Sequence, residues 1–217
     1  EQLPFWEPRN FSGDFQGEVD LCTSLTKSLN IPTIKLLLSI GMDKVITRSE
    51  QLGVYEKKPL VTNYALALGS FETTLMNLTN AFNIIASGGY SVKPQFIESI
   101  YDRRGNLIYS DDSIICHGCE MWYPPNGEKD ETTLPVINYL KERLIKKKYN
   151  DMIVYGLEQV VQNGTGKRSR VIGKRSGAKT GTTNGNNDAW FIGFSRDVTV
   201  GLYIGFDAPH TLGPMEV

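Results

Sequence analysis

Apolar residues recur every three or four positions through much of the chain and alternate with polar ones near its end. Leu21, Leu25 and Leu29 predict a helix from Asp20, interrupted by Pro32. Ile34, Leu37 and Leu38 open a second apolar face that runs to Gly41, and 42–52 forms a third short helix stopped by Gly53. The strongest helical stretch is 69–89: Leu75, Leu78, Ala81, Phe82 and Ile85 line one face, Thr73 or Thr74 caps it, and Gly88-Gly89 ends it. Segments 95–101 and 106–109 alternate around Asp102-Arg103-Arg104-Gly105, a hairpin signal. Helical patterning resumes over 136–148 and 152–161, ending near Asn163-Gly164. Three strand-like runs close the chain at 176–183, 189–195 and 198–206, with turns at 184–187 and Arg196-Asp197. Residues 1–19 read as loop, and the polar, cysteine-bearing segment 111–133, with Pro124-Pro125-Asn126-Gly127, reads as an insertion or mobile loop. Helices first and an antiparallel meander last predict an α/β fold of the α+β type, a sheet packed by helices.

At 217 residues, 40% hydrophobic and 22% charged, the chain can bury a core of its own. A net charge of −1 speaks against a nucleic-acid surface. No apolar run approaches the roughly 18 residues of a membrane helix. The chain opens at Glu1 without a signal-type segment and closes after Gly213-Pro214 on no obvious element, so it is expected to be an excised piece of a larger protein, poorly soluble alone. Cys116 and Cys119 form C-H-G-C, which suits a redox pair, half of a zinc site or a small loop disulfide. Zinc needs about four ligands and only His117 stands near, so a disulfide or inert thiols is the favoured reading, with no metal or cofactor expected. Cys22 reads as a small buried apolar residue. His117 and His210 are the only histidines, too little material for a Ser-His-Asp triad.

The richest chemistry lies in Lys179-Thr180-Gly181-Thr182, a cation and two hydroxyls around a glycine at the start of a strand run. A glycine there marks a bulge or a close approach by another backbone or a ligand. Such an edge can bind a carboxylate and lend an N–H to an oxyanion. Upstream, Gly164 to Lys167 hints at a phosphate loop, but Val161 and Arg168 break that spacing. Lys146-Lys147-Lys148 reads as a solvated helix end, favourable near a C-terminus, with a membrane-surface contact as its alternative.

Joined to their neighbours, these residues resemble the transpeptidase domain of class A (bifunctional) penicillin-binding proteins. The resemblance rests on Val160-Val161-Gln162-Asn163-Gly164-Thr165-Gly166-Lys167, then Lys179-Thr180-Gly181-Thr182-Thr183-Asn184, then Asp188-Ala189-Trp190-Phe191. Near the start, Lys27-Ser28-Leu29-Asn30-Ile31-Pro32 is similar to the family's K-S-x-N-x-P. Trp6-Glu7-Pro8-Arg9-Asn10-Phe11, Ala67-Leu68-Gly69-Ser70 and Ala86-Ser87-Gly88-Gly89-Tyr90 extend it to nearly the whole chain outside about 111–150. Serine acyl-enzymes of this kind share S-x-x-K, an S-x-N-type motif and K-T-G.

The resemblance implies a penicillin-binding transpeptidase or serine β-lactamase-like fold, incomplete here, with 1–217 as the C-terminal portion of its domain. It implies a D,D-transpeptidase that cross-links peptidoglycan stem peptides and is acylated by β-lactams. The parent would carry a glycosyltransferase domain and sit on the extracytoplasmic face of a bacterial inner membrane, anchored outside this chain. Ser28 would relay a proton, Asn30 would hold the substrate's amide, and Lys179 would supply positive charge. Thr180, Gly181, Thr182 and Thr183 would bind the substrate, with the Thr182 N–H as an oxyanion donor. Trp190 would pack behind the strand. The nucleophilic serine would lie upstream of residue 1, leaving this chain inactive alone. Ser24-Leu25-Thr26-Lys27 fits S-x-x-K literally, but one helix turn cannot set both motifs on opposite sides of a substrate, so Ser24 is expected to be an ordinary helical residue. The alternatives are a non-catalytic peptidoglycan- or β-lactam-binding module, and a serine β-lactamase or D,D-carboxypeptidase.

Overall fold

Asp20 accepts from the Thr23 N–H at 2.7 Å, satisfying a donor that the first turn would otherwise leave unpaired, and so starts helix α1 (Leu21–Lys27). The computed structural model describes residues 8–10, 13, 15–55, 63–110, 114–117, 136–139, 142–208 and 210–213. Two units divide the chain: Glu1–Tyr90 with Leu144–Val217, and Ser91–Arg143.

In the first unit α1 is followed by α2 (Asn30–Ile40), α3 (Met42–Gln51) and α4 (Leu75–Ala86). The break between the first two falls at Ser28 and Leu29, not at the proline. Pro32 sits in the first turn of α2, where a missing N–H leaves no intrahelical bond unmade. Of the three spaced leucines Leu29 is buried and Leu25 half-buried, but Leu21 is 65% exposed, and the buried side of α1 itself carries Ser24 and Thr26. Cys22 is a half-buried free thiol rather than a core residue. Of the two candidate caps for α4 the Thr74 hydroxyl accepts from Asn77, and Ile84 rather than Ile85 is the deeply buried isoleucine. A satellite cluster of Ile46, Tyr55 and Leu66 joins α3 to a 3-10 turn, Tyr64–Leu68.

After Leu144 the chain forms α5 (Lys147–Asn163), then the antiparallel meander β5 (Gly177–Thr182), β6 (Asp188–Phe194) and β7 (Thr199–Gly205), in that spatial order. Helix α5 packs on β5 and α1, and α4 packs on β6 and β7. Leu157, Val160 and Val161 of α5 and Ala178 and Ile192 of the sheet are all at most 3% exposed. Gly201 lets α4 lie close: a Cβ there would run into the Thr79 hydroxyl, and it would sit 3.1 Å from Leu75. Lys146-Lys147-Lys148 opens α5 instead of closing a helix, where the dipole opposes its charge. Lys147 is offset by Asp151 one turn on, at 2.7 Å.

The second unit holds the hairpin β1 (Ser99–Tyr101) and β2 (Leu107–Ser110), closed by Asp102, which accepts from the N–H groups of Arg104 and Asn106. It also holds an antiparallel pair, β3 (Ile114–His117) with β4 (Val136–Tyr139). That pair corrects one expectation: residues 136–139 are strand, not helix. Residues 114–117 form its ladder, within the segment read as an insertion or mobile loop. Apolar residues at 136, 137, 140 and 144 satisfy a helical period, but a partner strand supplies backbone bonds that the period cannot reveal. Residues 118–135, Cys119 among them, lie outside the described residues, as do Trp6, Glu7 and Phe11 of the N-terminal motif.

Candidate active site

Ser28 closes α1 in the left-handed region, φ 54 and ψ 48. A side chain in that conformation costs about 1 kcal/mol, and glycine is the residue that adopts it freely. The reversal is secured by the Ser28 N–H on the Leu25 carbonyl at 3.2 Å and the Leu29 N–H on the Ser24 carbonyl at 2.9 Å. The Ser28 hydroxyl accepts a hydrogen bond from Lys179 Nζ at 2.7 Å, joining residues 151 positions apart. Lys179 also donates to the Thr180 carbonyl at 2.9 Å. Burial of the ammonium lowers its pKa to about 8, so it remains mostly charged at pH 7 yet loses its proton in mild alkali.

Asn30 begins α2, and its Nδ2 donates to the Arg9 carbonyl at 2.8 Å. That leaves Oδ1 as the amide's acceptor for an incoming N–H. Asn10 Oδ1 accepts from the Ile31 N–H at 3.2 Å, so the Arg9-Asn10 pair fixes the first turn of α2 beside Ser28.

The edge strand β5 supplies the rest. Its register with β6 is unbroken from Gly177↔Phe194 to Thr182↔Ala189, so Gly181 makes no bulge. A Cβ on Gly181 would meet only Trp190 Cβ, at 3.4 Å. Just past the strand the Thr183 N–H donates to the Asp188 carbonyl at 3.1 Å. Ladder bonds recur at every second residue, so Gly181 and Lys179 face β6 while the N–H groups of Thr180 and Thr182 point away from it. Thr182 is exposed, and its N–H is directed outward as an oxyanion donor requires. The Thr183 hydroxyl accepts from the Asp188 N–H at 2.9 Å, which engages that oxygen in closing the turn. Trp190 stacks on Tyr203 at 4.8 Å between ring centroids, a packing role.

The literal S-x-x-K match has no active-site geometry. Ser24 is 5% exposed, and Lys27 Nζ donates to Gln16 Oε1 at 3.0 Å on the surface.

One group gained no role from the sequence. Thr165 Oγ1 lies 2.7 Å from Thr180 Oγ1. The flanking glycines explain why it is there. A Cβ on Gly164 would collide with the Thr26 carbonyl of α1, and the Gly166 N–H donates to the Val160 carbonyl at 3.1 Å. The stretch Asn163-Gly164-Thr165-Gly166 is thus the junction of α5, α1 and β5, the last two of which carry Ser28 and Lys179. Its signal was the pair of glycines around a hydroxyl just after a helix.

Residues 4–211 match the family described as the penicillin-binding protein transpeptidase domain. Penicillin-binding protein 1A of Rickettsia conorii is 36% identical over 211 residues, 97% of this chain and 26% of the relative. The chain therefore spans about a quarter of the length of the curated relatives it matches. Among solved structures, the crystal structure of penicillin-binding protein 1A from Haemophilus influenzae matches with a TM-score of 0.80 and 27% identity, over 97% of this chain and 34% of that one. The PonA1 protein of Mycobacterium tuberculosis in complex with penicillin V shares the fold, with a TM-score of 0.69 at 20% identity, covering 93% of this chain and 52% of that one.

Proposed function

The chain belongs to the penicillin-binding protein transpeptidase family, and from that premise we propose that it forms part of a peptidoglycan D,D-transpeptidase site. The reaction is acyl transfer in two steps. A serine elsewhere in the parent protein attacks the penultimate D-Ala carbonyl of a stem peptide. An ester C–O bond forms, the amide C–N bond breaks, and the departing D-Ala amine takes up a proton. An amine from a second stem then attacks the ester and regenerates the serine. A β-lactam meets the same nucleophile and opens its ring to give a stable ester.

The residues of this chain serve the proton, the charge and the oxyanion. Ser28 passes a proton to the leaving nitrogen, and Lys179 holds the Ser28 hydroxyl in line for that relay. With its pKa near 8, Lys179 is charged in roughly nine of ten molecules at pH 7, enough to attract the substrate carboxylate. Thr180 and Thr182 receive that carboxylate, and Asn30 Oδ1 accepts from an amide of the stem. The Thr182 N–H stabilises the tetrahedral oxyanion, a contribution of about 3 kcal/mol when such a donor is removed. The parent is assigned to the extracytoplasmic face of an inner membrane, with a glycosyltransferase domain in the remainder of its length. The family resemblance is the ground for both, and this chain covers only about a quarter of relatives named penicillin-binding protein 1A.

The observation that carries the reading is the 2.7 Å bond from Lys179 to Ser28. Two motifs that resemblance alone had paired are joined by direct contact. The test is intact-mass analysis of the full-length parent after exposure to a penicillin. A single adduct on a serine outside residues 1–217, slowed in Ser28→Ala and Lys179→Ala, is the expected result. An adduct on Ser24 or Ser28 would overturn it, and no adduct at all would favour a non-catalytic binding module.

A further inference from the structure

We propose that Thr165, outside the motifs that read as catalytic, is a positioning residue that makes this site selective for carboxylate ligands over neutral ones. The inference rests on the transpeptidase reading and assigns a new part within it.

Each threonine hydroxyl carries one proton and can accept two. At 2.7 Å the Thr165 and Thr180 hydroxyls share one hydrogen bond, and either can be its donor. Only one proton is used in that bond. The second hydroxyl cannot donate back along the same O···O line, so its proton remains for another acceptor. The pair therefore presents a directed O–H donor at the outer edge of β5. Beside it, the Lys179 ammonium bonds the Thr180 carbonyl at 2.9 Å. Two residues on, the exposed Thr182 stands on the same edge. A donor hydroxyl and an ammonium side by side on one strand favour an anion, and a planar carboxylate can use both at once.

Thr165 is held from both sides. Gly164 lies against the Thr26 carbonyl so closely that no Cβ fits, and Gly166 is tied to the Val160 carbonyl. With its backbone held by α1 and α5, the exposed Thr165 side chain is presented beside Thr180. Without it the hydroxyl pair is lost, Thr180 can turn to a different acceptor, and no donor proton is held toward the ligand. The effect should depend on the ligand's charge, which a loss of local packing would not.

The experiment compares a penicillin with its methyl ester on the full-length parent, measuring the initial dissociation constant and the acylation rate constant separately. For Thr165→Val the expected result is a five- to twenty-fold weaker initial binding of the carboxylate form, a near-constant acylation step, and less than a twofold change for the ester. Thr165→Ser should restore the preference, and Thr165→Ala should lack it, so the outcome does not hang on one variant that folds poorly. Equal losses for acid and ester would overturn the proposal in favour of a structural role. Unchanged kinetics for both would overturn it as well. Failure of the underlying transpeptidase reading looks different, because the wild-type parent would then form no adduct with either compound.

Discussion

The Tyr203 hydroxyl donates to the Asp188 carboxylate at 2.9 Å, and the backbone of Asp188 closes the turn that ends β5. This contact raises the Tyr203 phenol above its usual pKa. Gly205 belongs to the same unit, since a Cβ there would meet the Tyr203 hydroxyl and lie 2.6 Å from Asp188 Oδ1.

Tyr203→Phe should therefore lower the urea midpoint slightly, because the bond it removes is open to solvent and water can replace the lost donor. Gly205→Ala should break the same bond by crowding. The double variant should be no worse than the poorer single one, a non-additivity that a double-mutant cycle by urea unfolding can measure. Additive losses would mean that the two residues act separately.

Gly164→Ala is a sharper test of the junction. The new methyl must displace the Thr26 carbonyl or the end of α5, a strain of about 1–3 kcal/mol. Because α1 carries Ser28, the β-lactam acylation rate of the parent should fall by more than the lost stability explains. A stability loss with unchanged acylation would show that α1 yields without moving Ser28.

Lys179 makes a pH prediction with a definite sign. Its folded pKa is about 8, below the ordinary lysine value of 10.5, because burial disfavours the charged form. The burial penalty is fully present below pH 8. Between pH 8 and 10.5 the folded state has lost a proton that the unfolded chain still binds, so stability should rise with pH across that window. Lys179→Met should remove this rise. Initial binding of a carboxylate ligand should move oppositely, weakening above pH 8 as the charge is lost. Urea midpoints and binding measured from pH 7 to about 10.5 check both.

Lys146 caps α5 without a side-chain hydrogen bond, at the helix end where a cation is unfavourable. Lys146→Asp should supply the missing acceptor and a favourable charge, stabilising the protein by about 1 kcal/mol. Thermal melting of the full-length parent reads this directly, and an unchanged midpoint would deny the cap.

The strand edge that carries Lys179 was legible because chemistry and periodicity agreed there. Lys179, Thr180 and Thr182 stand in a run that alternates as a strand and pairs in an unbroken register. The three final strands were legible for the same reason. Where the sequence misled, a distant partner decided the outcome. Residues 136–139 carry helical spacing, but pairing with 114–117 makes them strand. The start of α2 was hidden because Pro32 suggests an ending, whereas the first turn of a helix accepts it. The charge of Lys146 to Lys148 was visible, but which end of a helix it occupies depends on where the helix begins. Thr165 was missed for another reason: a hydroxyl's importance lies in what it touches, and its partner is 15 residues away in another element.

Ser28 and Lys179 are 151 positions apart. At about 5–20 residues per second, a growing chain would carry the serine for roughly 8–30 s before the lysine is made. During that interval the contact does not exist. Any ligand that needs both residues must wait until β5 has been made and paired, however early α1 forms.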